Sequence, residues 1–508
     1  MAFVMLFYAE EQSFWVDELA WTIGIISKTN FAGLLRSLLA DGYNLPLYYV
    51  LISGVYKISP YGELYLLIPS IACVIFGVIF IGMASKRLCN ANLSAISLCV
   101  GAISTVLITY CGWEMRPYAM YFCFSSLTLL IFINRLKLEN KRNIAIYSLS
   151  VGLLCFTHWF GILLVVFYGL ADVCFWLKKK ISFPVLFFSY AAPAALALIW
   201  LLLTLVNVHQ SLSKYWAFTP DIWLVLEVLG TLLSNNIFFY FCFGVGILGV
   251  LLSAGRAIRR KTVTVDVLFK LQTIMCIPWL IGVTFIYSKY VNPHGSVFVF
   301  RYFIGVVPHV ILLVALGVYD MHQLALRVID KMSASAGWRK SITVCVSVLL
   351  SVAFGVSGYY SYAEAIAQQQ MKGEPFRQVA EYLALDCNAH APDALVLLPD
   401  SRLFLLDSWV EYYFEKRQFQ IPSNMGTYVP RERWRTQEDA SGQFLRIVNG
   451  KTIAPISMSE QDILKYRRLY LVEQHQRFEK EFFDFINEHY LLVKKEHFLD
   501  TYVYEKKS

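Results

Sequence analysis

Apolar stretches long enough to cross a lipid bilayer recur along this chain from its N-terminus to about residue 360. A transmembrane helix needs about 20 mainly apolar residues. Beyond residue 360 the sequence becomes polar and carries ordinary amphipathic patterns. Hydrophobic residues make up 57% and charged residues only 16% of the 508 positions, which excludes a soluble globular protein. The sequence therefore predicts a polytopic membrane protein with a polar C-terminal region.

Basic residues cluster between the apolar stretches and predict the side of the membrane on which each connection lies. By the positive-inside rule these clusters belong in the cytoplasm. They are Lys86 and Arg87; Arg135, Lys137, Lys141 and Arg142; Lys178 to Lys180; Arg256, Arg259, Arg260 and Lys261; and Arg327, Lys331, Arg339 and Lys340. The net charge of +8 comes mainly from these topology determinants, so no nucleic-acid partner is predicted.

An even number of spans must separate successive cytoplasmic clusters. The apolar segments pair accordingly as 92–112 with 117–134, 143–157 with 159–177, 183–206 with 236–254, and 268–288 with 302–319. Of the two earlier segments, 45–58 and 63–85, only one can cross. We predict that 45–58 lies flat in the membrane interface, because it is shorter than a span and contains Pro46 and Lys57.

The predicted fold class is mainly α, a polytopic bundle of about 11 spans that counts a short first one and a last one at 341–360. Residues 1–360 form this transmembrane domain, with a long first external loop at 10–62. Residues 361–508 are predicted to form an extracytoplasmic α/β domain. Its helical patterns cover 376–385, 406–416 and 478–490, and its strand-like runs cover 394–398, 469–472, 491–493 and 502–504.

Charged residues at the predicted outer ends of spans are functional candidates, because charges there are costly and rare. Asp17 and Glu18 follow an aromatic segment in the first external loop, and Glu114 and Arg116 lie between two spans. Arg301 stands at the outer start of a span, where the positive-inside bias disfavours a cation. Because an arginine binds phosphate through its planar fork of donors, two arginines on the outer side indicate an anionic ligand.

Each of these residues also has a purely structural interpretation. Acidic residues such as Asp17 stabilise a helix when they stand in its first turn. Arg116 can extend its side chain to the interface, with Glu114 as a local partner.

Two histidines near outer turns are ambiguous in the same way. His158 follows Thr157 and can contact an acceptor or exchange a proton, but a hydrogen-bonded turn histidine is the more frequent case. His294 has the same two interpretations. No two histidines have metal-ligand spacing, and Asp17 and Glu18 alone do not specify a metal site, so no cofactor is predicted and a divalent cation is left open.

The ordered set of motifs resembles the GT-C superfamily of integral membrane glycosyltransferases, in particular the branch of protein O-mannosyltransferases and aminoarabinose transferases (family 39/83-like). The similarity covers roughly residues 13–310. Its elements are Phe14-Trp15-Val16-Asp17-Glu18, Asn44-Leu45-Pro46-Leu47-Tyr48-Tyr49, Pro69-Ser70, Glu114-Met115-Arg116-Pro117-Tyr118-Ala119, and Arg301-Tyr302 followed by Pro308.

This resemblance implies a sugar donor linked to a polyprenyl phosphate and a lipid, glycan or protein acceptor on the outer face of a bacterial cytoplasmic membrane, surrounded by membrane lipids. On this hypothesis the catalytic residues are Asp17, as general base, and Glu18, as its support. Arg116 and Arg301 hold the donor phosphate. The substrate-binding residues are Glu114, Tyr118, His158, Asn44 and Tyr48. A single displacement at the anomeric carbon inverts its configuration.

Two other classes of protein also fit a chain of this composition. A lipid or polysaccharide transporter, or flippase, lines its path with buried charges, but it favours paired segments with an internal repeat, and none is evident here. A membrane scaffold with an external binding domain leaves the outer charges unexplained. The acidic first external loop and the large external domain favour the transferase.

Overall fold

The structure of the chain is a computed structural model. It describes residues 1–9, 18–27, 30–42, 44–59, 63–213, 219–262, 264–293, 296–331, 336–372, 379, 382–387, 393–399, 425–428, 446–448, 451–453, 463–472, 480–496 and 501–507. The chain divides into two compact units. The first comprises Met1–Ala9, Lys28–Val55 and Leu64–Met371, and the second comprises Glu10–Ser27, Tyr56–Glu63 and Lys372–Ser508.

Helices account for nearly all of the described secondary structure before residue 372. In chain order they are α1 (Ala2–Ala9), α2 (Gly24–Ile26), α3 (Phe31–Asp41), α4 (Pro46–Ile58), α5 (Glu63–Leu88), α6 (Ala91–Ala102), α7 (Tyr118–Lys137), α8 (Lys141–Cys155), α9 (Trp159–Leu177), α10 (Phe183–Ser213), α11 (Ile222–Leu232), α12 (Ile237–Arg259), α13 (Val265–Ile286), α14 (Val307–Lys331) and α15 (Ala336–Lys372). Short π-helical segments cover Glu18–Ile23, Leu107–Gly112, Tyr287–Val291 and Leu383–Cys387, and a 3-10 helix covers Phe300–Val306.

Seven helical segments in the described part of the chain are long and apolar enough to cross a membrane, so the chain is an integral membrane protein. They are Glu63–Leu88, Tyr118–Lys137, Trp159–Leu177, Phe183–Asn207, Ile237–Arg259, Asp266–Val291 and Phe300–Ile329. The segment 300–329 is the most deeply buried of them and therefore lies at the centre of the bundle. The segment 183–207 is the least buried and lies at its periphery.

The mainly α fold class predicted from the sequence is confirmed. The segment predicted to lie flat, 45–58, forms the helix α4, whose 13 residues are too few for the roughly 20 that a crossing needs. The first helix, α1, has only 8 residues. The count of about 11 spans stays a prediction. At the predicted domain boundary, α15 continues through residue 360 to Lys372.

Close backbone contact between α12 and α14 depends on two glycines. A Cβ atom on Gly246 would collide with the carbonyl oxygen of Leu313, and one on Gly317 would collide with that of Cys242. Small residues of this kind let transmembrane helices approach until their backbones touch. This crossing fixes α14 against its neighbour at the centre of the first unit.

The second unit contains a mixed β-sheet. Its strands are β1 (Ala394–Pro399), β2 (Met425–Tyr428), β5 (Arg468–Val472), β6 (Tyr490–Glu496) and β7 (Thr501–Lys506), in the order β2-β1-β5-β7-β6. β1 runs parallel to β2 and β5, whereas β7 pairs antiparallel with β5 and β6. A separate antiparallel pair joins β3 (Arg446–Val448) to β4 (Lys451–Ile453).

One further helix, α16 (Lys480–His489), packs its apolar face on this sheet. The shared core consists of Ile463, Leu469, Leu471, Phe482, Ile486, Tyr490 and Tyr504. Four predicted strand-like runs correspond to β1, β5, β6 and β7, and the helix predicted at 478–490 ends one residue earlier, because Tyr490 begins β6. The strands β2, β3 and β4 were not predicted. The helix predicted at 406–416 lies outside the described residues. Of the one predicted at 376–385, residues 379 and 382–385 are described, and 383–385 belong to the π-helical segment.

A buried ion pair ties α7, α9 and α10 together at one end of the bundle. The Nη2 atom of Arg135 donates to both carboxylate oxygens of Asp172, at 2.5 and 2.6 Å, and Nη1 donates to Ser189 Oγ at 2.9 Å. The hydroxyl of Tyr190 donates to Asp172 Oδ2 at 2.6 Å, and the guanidinium carbon of Arg135 lies 4.2 Å from the centroid of the Tyr147 ring. Arg135 belongs to a cluster that was predicted to lie on the cytoplasmic side; its side chain is fully buried, and its charge is neutralised by Asp172.

We expect Asp172→Asn to lower the free energy of unfolding by about 3–5 kcal/mol, because it leaves the Arg135 cation buried without its counter-charge. The double variant Arg135→Met with Asp172→Leu should recover most of this loss, because it removes both charges. The measurement is thermal unfolding of the purified protein in detergent. Asp266→Asn is the matched control, since it breaks the exposed pair with Lys137 (3.2 Å) and should cost less than about 1 kcal/mol. Equal effects of the two single variants would contradict the expectation.

Candidate active site

A cavity of about 430 Å³ lies where the N-termini of α7 and α9 meet the C-terminus of α13. Its walls are mainly apolar, with a few polar groups among them. The lining residues are Asn44, Leu45, Arg116, Pro117, Tyr118, Thr157, His158, Trp159, Phe160, Ile162, Leu163, Leu201, Val283, Thr284, Tyr287, Val297 and Tyr302. An apolar cavity with a few convergent polar groups is the usual form of a small-molecule or lipid site.

Four of the residues predicted from the sequence to contact substrate or phosphate meet in this cavity. Asn44 precedes α4, Arg116 and Tyr118 stand at the start of α7, and His158 precedes α9. Pro117 occupies the position directly before α7. A proline there costs no hydrogen bond, because the N–H group that it lacks has no partner within the helix. Residues far apart in sequence therefore line one space.

Asn44 is held in place by its neighbours. Its backbone N–H donates to Asp41 Oδ2 at 2.8 Å, and its side-chain oxygen accepts a hydrogen bond of 2.6 Å from the hydroxyl of Tyr49. Tyr48, which was predicted to contact substrate, does not line the cavity. Its side chain is buried against the ring of Tyr49, with 5.5 Å between the ring centroids. Of these two adjacent tyrosines, the one that positions the cavity wall is Tyr49, which the sequence did not single out.

Two arginines lie beside the ring of Tyr118. The guanidinium carbon of Arg116 is 5.9 Å from the ring centroid, and that of Arg301 is 5.8 Å from it. Arg116 lines the cavity. Arg301 is largely buried and lies 3.8 Å from Glu114 Oε2, and the carbonyl of Glu114 accepts a hydrogen bond of 3.1 Å from Ser70 Oγ. The segment from Glu114 to Tyr118 thus contacts both of the other motifs: Ser70 through the Glu114 carbonyl, and Arg301 through the Glu114 carboxylate and the Tyr118 ring.

His158 both caps a helix and lines the cavity. Its Nδ1 atom accepts a hydrogen bond of 3.3 Å from the backbone N–H of Phe160, which assigns the proton of the neutral ring to Nε2. Burial, and secondarily the cation of Arg116, lowers the pKa of His158 from its usual value of 6.5 to about 3. The imidazole is therefore a neutral hydrogen-bond donor across the physiological pH range and does not exchange a proton there.

Aromatic rings surround this imidazole. Tyr121 stacks on it with 5.0 Å between ring centroids and 15° between the planes, and Tyr302 lies 5.1 Å from it. Phe160 in turn lies 5.0 Å from Tyr302. No role was predicted for these rings, although Tyr302 stands directly after Arg301 in one of the motifs.

The acidic pair predicted as the catalytic base is only partly described. Asp17 lies outside the described residues, as does His294. Glu18 begins the π-helical segment Glu18–Ile23, is buried and belongs to the second unit. Within the described residues, no group of three or more His, Cys, Asp or Glu side chains could hold a metal ion.

The fold is similar to that of ArnT from Cupriavidus metallidurans. Its crystal structure bound to undecaprenyl phosphate has a TM-score of 0.55 and 11% sequence identity, and the match covers 99% of this chain and 96% of that one. The apo form has a TM-score of 0.54. An oligosaccharyltransferase from Archaeoglobus fulgidus has a TM-score of 0.42 and 12% identity, with 84% of this chain and 59% of that chain covered. No protein-family model and no curated protein matches the sequence. The chain therefore has the same fold as ArnT, which agrees with the fold class predicted from the sequence.

We expect the neutral state of His158 to make the protein less stable in acid. The unfolded chain binds a proton at His158 near pH 6.5, whereas the folded protein does so only near pH 3, so stability falls as the pH drops through this window. His158→Phe should remove this component. When the pH is lowered from 7 to 5, the free energy of unfolding of the variant should rise by about 1–2 kcal/mol relative to that of wild type. Thermal unfolding across that range is the measurement, with His322→Phe as control. Parallel pH profiles for wild type and His158→Phe would contradict the shifted pKa.

Proposed function

We propose that this chain is a glycosyltransferase that moves a sugar from a polyprenyl-phosphate donor to an acceptor on the extracytoplasmic face of a bacterial cytoplasmic membrane. The observation that carries the proposal is the meeting of Asn44, Arg116, Tyr118 and His158 in one apolar cavity at the end of the helical bundle. A lipid-linked sugar needs apolar walls for its isoprenoid chain and a few polar groups for its phosphate and sugar. ArnT, whose fold this chain has, binds undecaprenyl phosphate, which supports a donor of the same class.

The chemistry of such a transfer suits these residues. The acceptor hydroxyl attacks the anomeric carbon while the bond to the lipid phosphate breaks, and the departing phosphate needs stabilisation of its negative charge rather than protonation. Arg116, in the cavity wall, supplies a fixed cation with several donors for that oxyanion. Arg301, next to Glu114 and the Tyr118 ring, adds positive potential behind the wall.

The remaining groups of the site position the sugar. The Nε2–H group of His158 and the amide of Asn44 are neutral hydrogen-bonding groups for sugar hydroxyls, and Tyr118 and Tyr302 offer aromatic faces. The acceptor proton passes to a carboxylate, for which we propose Asp17 with Glu18 as its support. One direct displacement then inverts the configuration of the anomeric carbon.

Asp17→Asn should reduce transfer at least about 100-fold, because it keeps the size of the side chain and removes the base. Transfer is measured with a radiolabelled polyprenyl-phosphate sugar and the purified protein, and the amount of folded protein is measured alongside. Asp484→Asn is the matched control, because it replaces an exposed carboxylate of the second unit. Wild-type turnover by the Asp17→Asn variant would refute the assignment of the base.

Arg116→Gln and Arg301→Gln should fail in different ways. Arg116→Gln removes a charged contact to the donor phosphate, so we expect the KM for the lipid donor to rise about 10- to 100-fold. Arg301→Gln leaves Glu114 buried without its neighbouring cation, so it should also lower the unfolding temperature. The exposed Arg36→Gln variant is the control. An unchanged donor KM in Arg116→Gln would count against its phosphate role.

A further inference from the structure

A second cavity, of about 310 Å³, lies between α9 and α13 towards the opposite end of these helices, and it shares no lining residue with the first. Its lining residues are Phe167, Leu170, Ala171, Cys174, Phe175, Lys178, Leu268, Gln272, Met275 and Trp279. We call it the inner groove, because it opens at the end of the bundle that carries the basic residues predicted to face the cytoplasm.

The inner groove has the depth of one membrane leaflet. The rings of Phe167 and Trp279, 6.0 Å apart, form one end, and Lys178 stands at the other. Lys178 follows Phe167 by eleven positions, which corresponds to about 16 Å of helix, roughly half of a 30 Å hydrocarbon core. Leu170 and Met275 are 48% and 57% exposed, so the groove is open sideways to lipid.

One polar side chain lies in this otherwise apolar groove. Gln272 is only 7% exposed, and neither its amide nitrogen nor its amide oxygen has a hydrogen-bond partner among the described residues. A buried polar group without a partner costs about 1–3 kcal/mol, so an amide at this place favours a ligand that brings a polar atom to it.

The position of Gln272 relative to the positive charge at the groove mouth identifies the kind of ligand. Phe175 on α9 and Phe269 on α13 both contact the Phe132 ring, at 6.3 and 6.1 Å, so they lie at the same level of the bundle. Gln272 is three residues deeper than this level and Lys178 three residues nearer the mouth, which separates their levels by about 9 Å. A glycerophospholipid has its phosphate at the membrane surface and ester carbonyls a few bonds below. A polyprenyl phosphate has no polar atom below its phosphate.

We propose that the inner groove binds an anionic glycerophospholipid of the inner leaflet. Lys178, followed directly by Lys179 and Lys180, contacts the phosphate, the Gln272 amide donates to an ester carbonyl, and one acyl chain lies along Met275 and Trp279. The proposal rests on the groove alone and does not depend on the transferase activity.

Thermal unfolding of the delipidated full-length protein, titrated with phosphatidylglycerol, tests this proposal. Phosphatidylglycerol should raise the unfolding temperature of wild type, and its apparent affinity should fall about tenfold in Gln272→Leu and in Lys178→Ala. Lys86→Ala is the matched control, because it removes an exposed charge from the same end of the bundle and should bind like wild type. Without lipid, Gln272→Leu should unfold at the wild-type temperature or above it, which separates a loss of binding from a loss of folding.

Three results would overturn the proposal. If phosphatidylcholine raised the unfolding temperature as much as phosphatidylglycerol, the lipid's negative charge would have no role in binding. Unchanged affinity in Gln272→Leu would remove the amide contact. If a polyprenyl phosphate stabilised the protein in a way that depends on Lys178, and phosphatidylglycerol did not stabilise it, the groove would be a site for the donor lipid instead.

Discussion

The need to neutralise every charge that is withdrawn from water governs this structure. Hydrocarbon offers no solvation, so a buried cation persists only with a counter-charge and with donors and acceptors that complete its hydrogen bonds. Arg135 satisfies this need with Asp172 and Ser189, and in doing so it links three helices. The same constraint sets Arg301 beside Glu114 at the other end of the bundle. Paired charges thus lie at both ends of the helical bundle.

This constraint also gives the two arginines of the candidate site different roles. Arg301 lies next to Glu114 and is not part of the cavity lining. Its cation therefore stabilises the loop before α7 through the Glu114 carboxylate. Arg116 is in the lining, one residue before the proline that precedes the helix, and its cation therefore faces the space that a ligand would occupy. In such a site one cation lies next to the ligand, and a second cation holds the wall of the cavity in place. Fixed charges of this kind are preorganised to stabilise the charge of a transition state.

The sequence predicted what is local and missed what depends on distant partners. Hydropathy over about 20 residues is enough for α5, α7, α9 and α10, and a short strand-like run is enough for β5 and β7, because these signals lie within one element. The role of Arg135 could not be predicted, since its partner Asp172 is 37 residues away in an apolar helix. Tyr48 and Tyr49 could not be told apart either, because adjacent positions on a helix point about 100° apart and only the packing decides which one reaches Asn44.

The same two helices, α9 and α13, form walls of both cavities, and a hydrogen bond joins a lining residue of one cavity to a lining residue of the other. The indole N–H of Trp279 donates to the carbonyl of Leu163 at 3.2 Å; Trp279 lines the inner groove and Leu163 lines the outer cavity. The two cavities share no lining residue and lie towards opposite ends of these helices. A lipid in the inner groove therefore stabilises the packing of α9 on α13 without competing for the outer site, and it alters the outer site only if it binds two arrangements of these helices with different affinity.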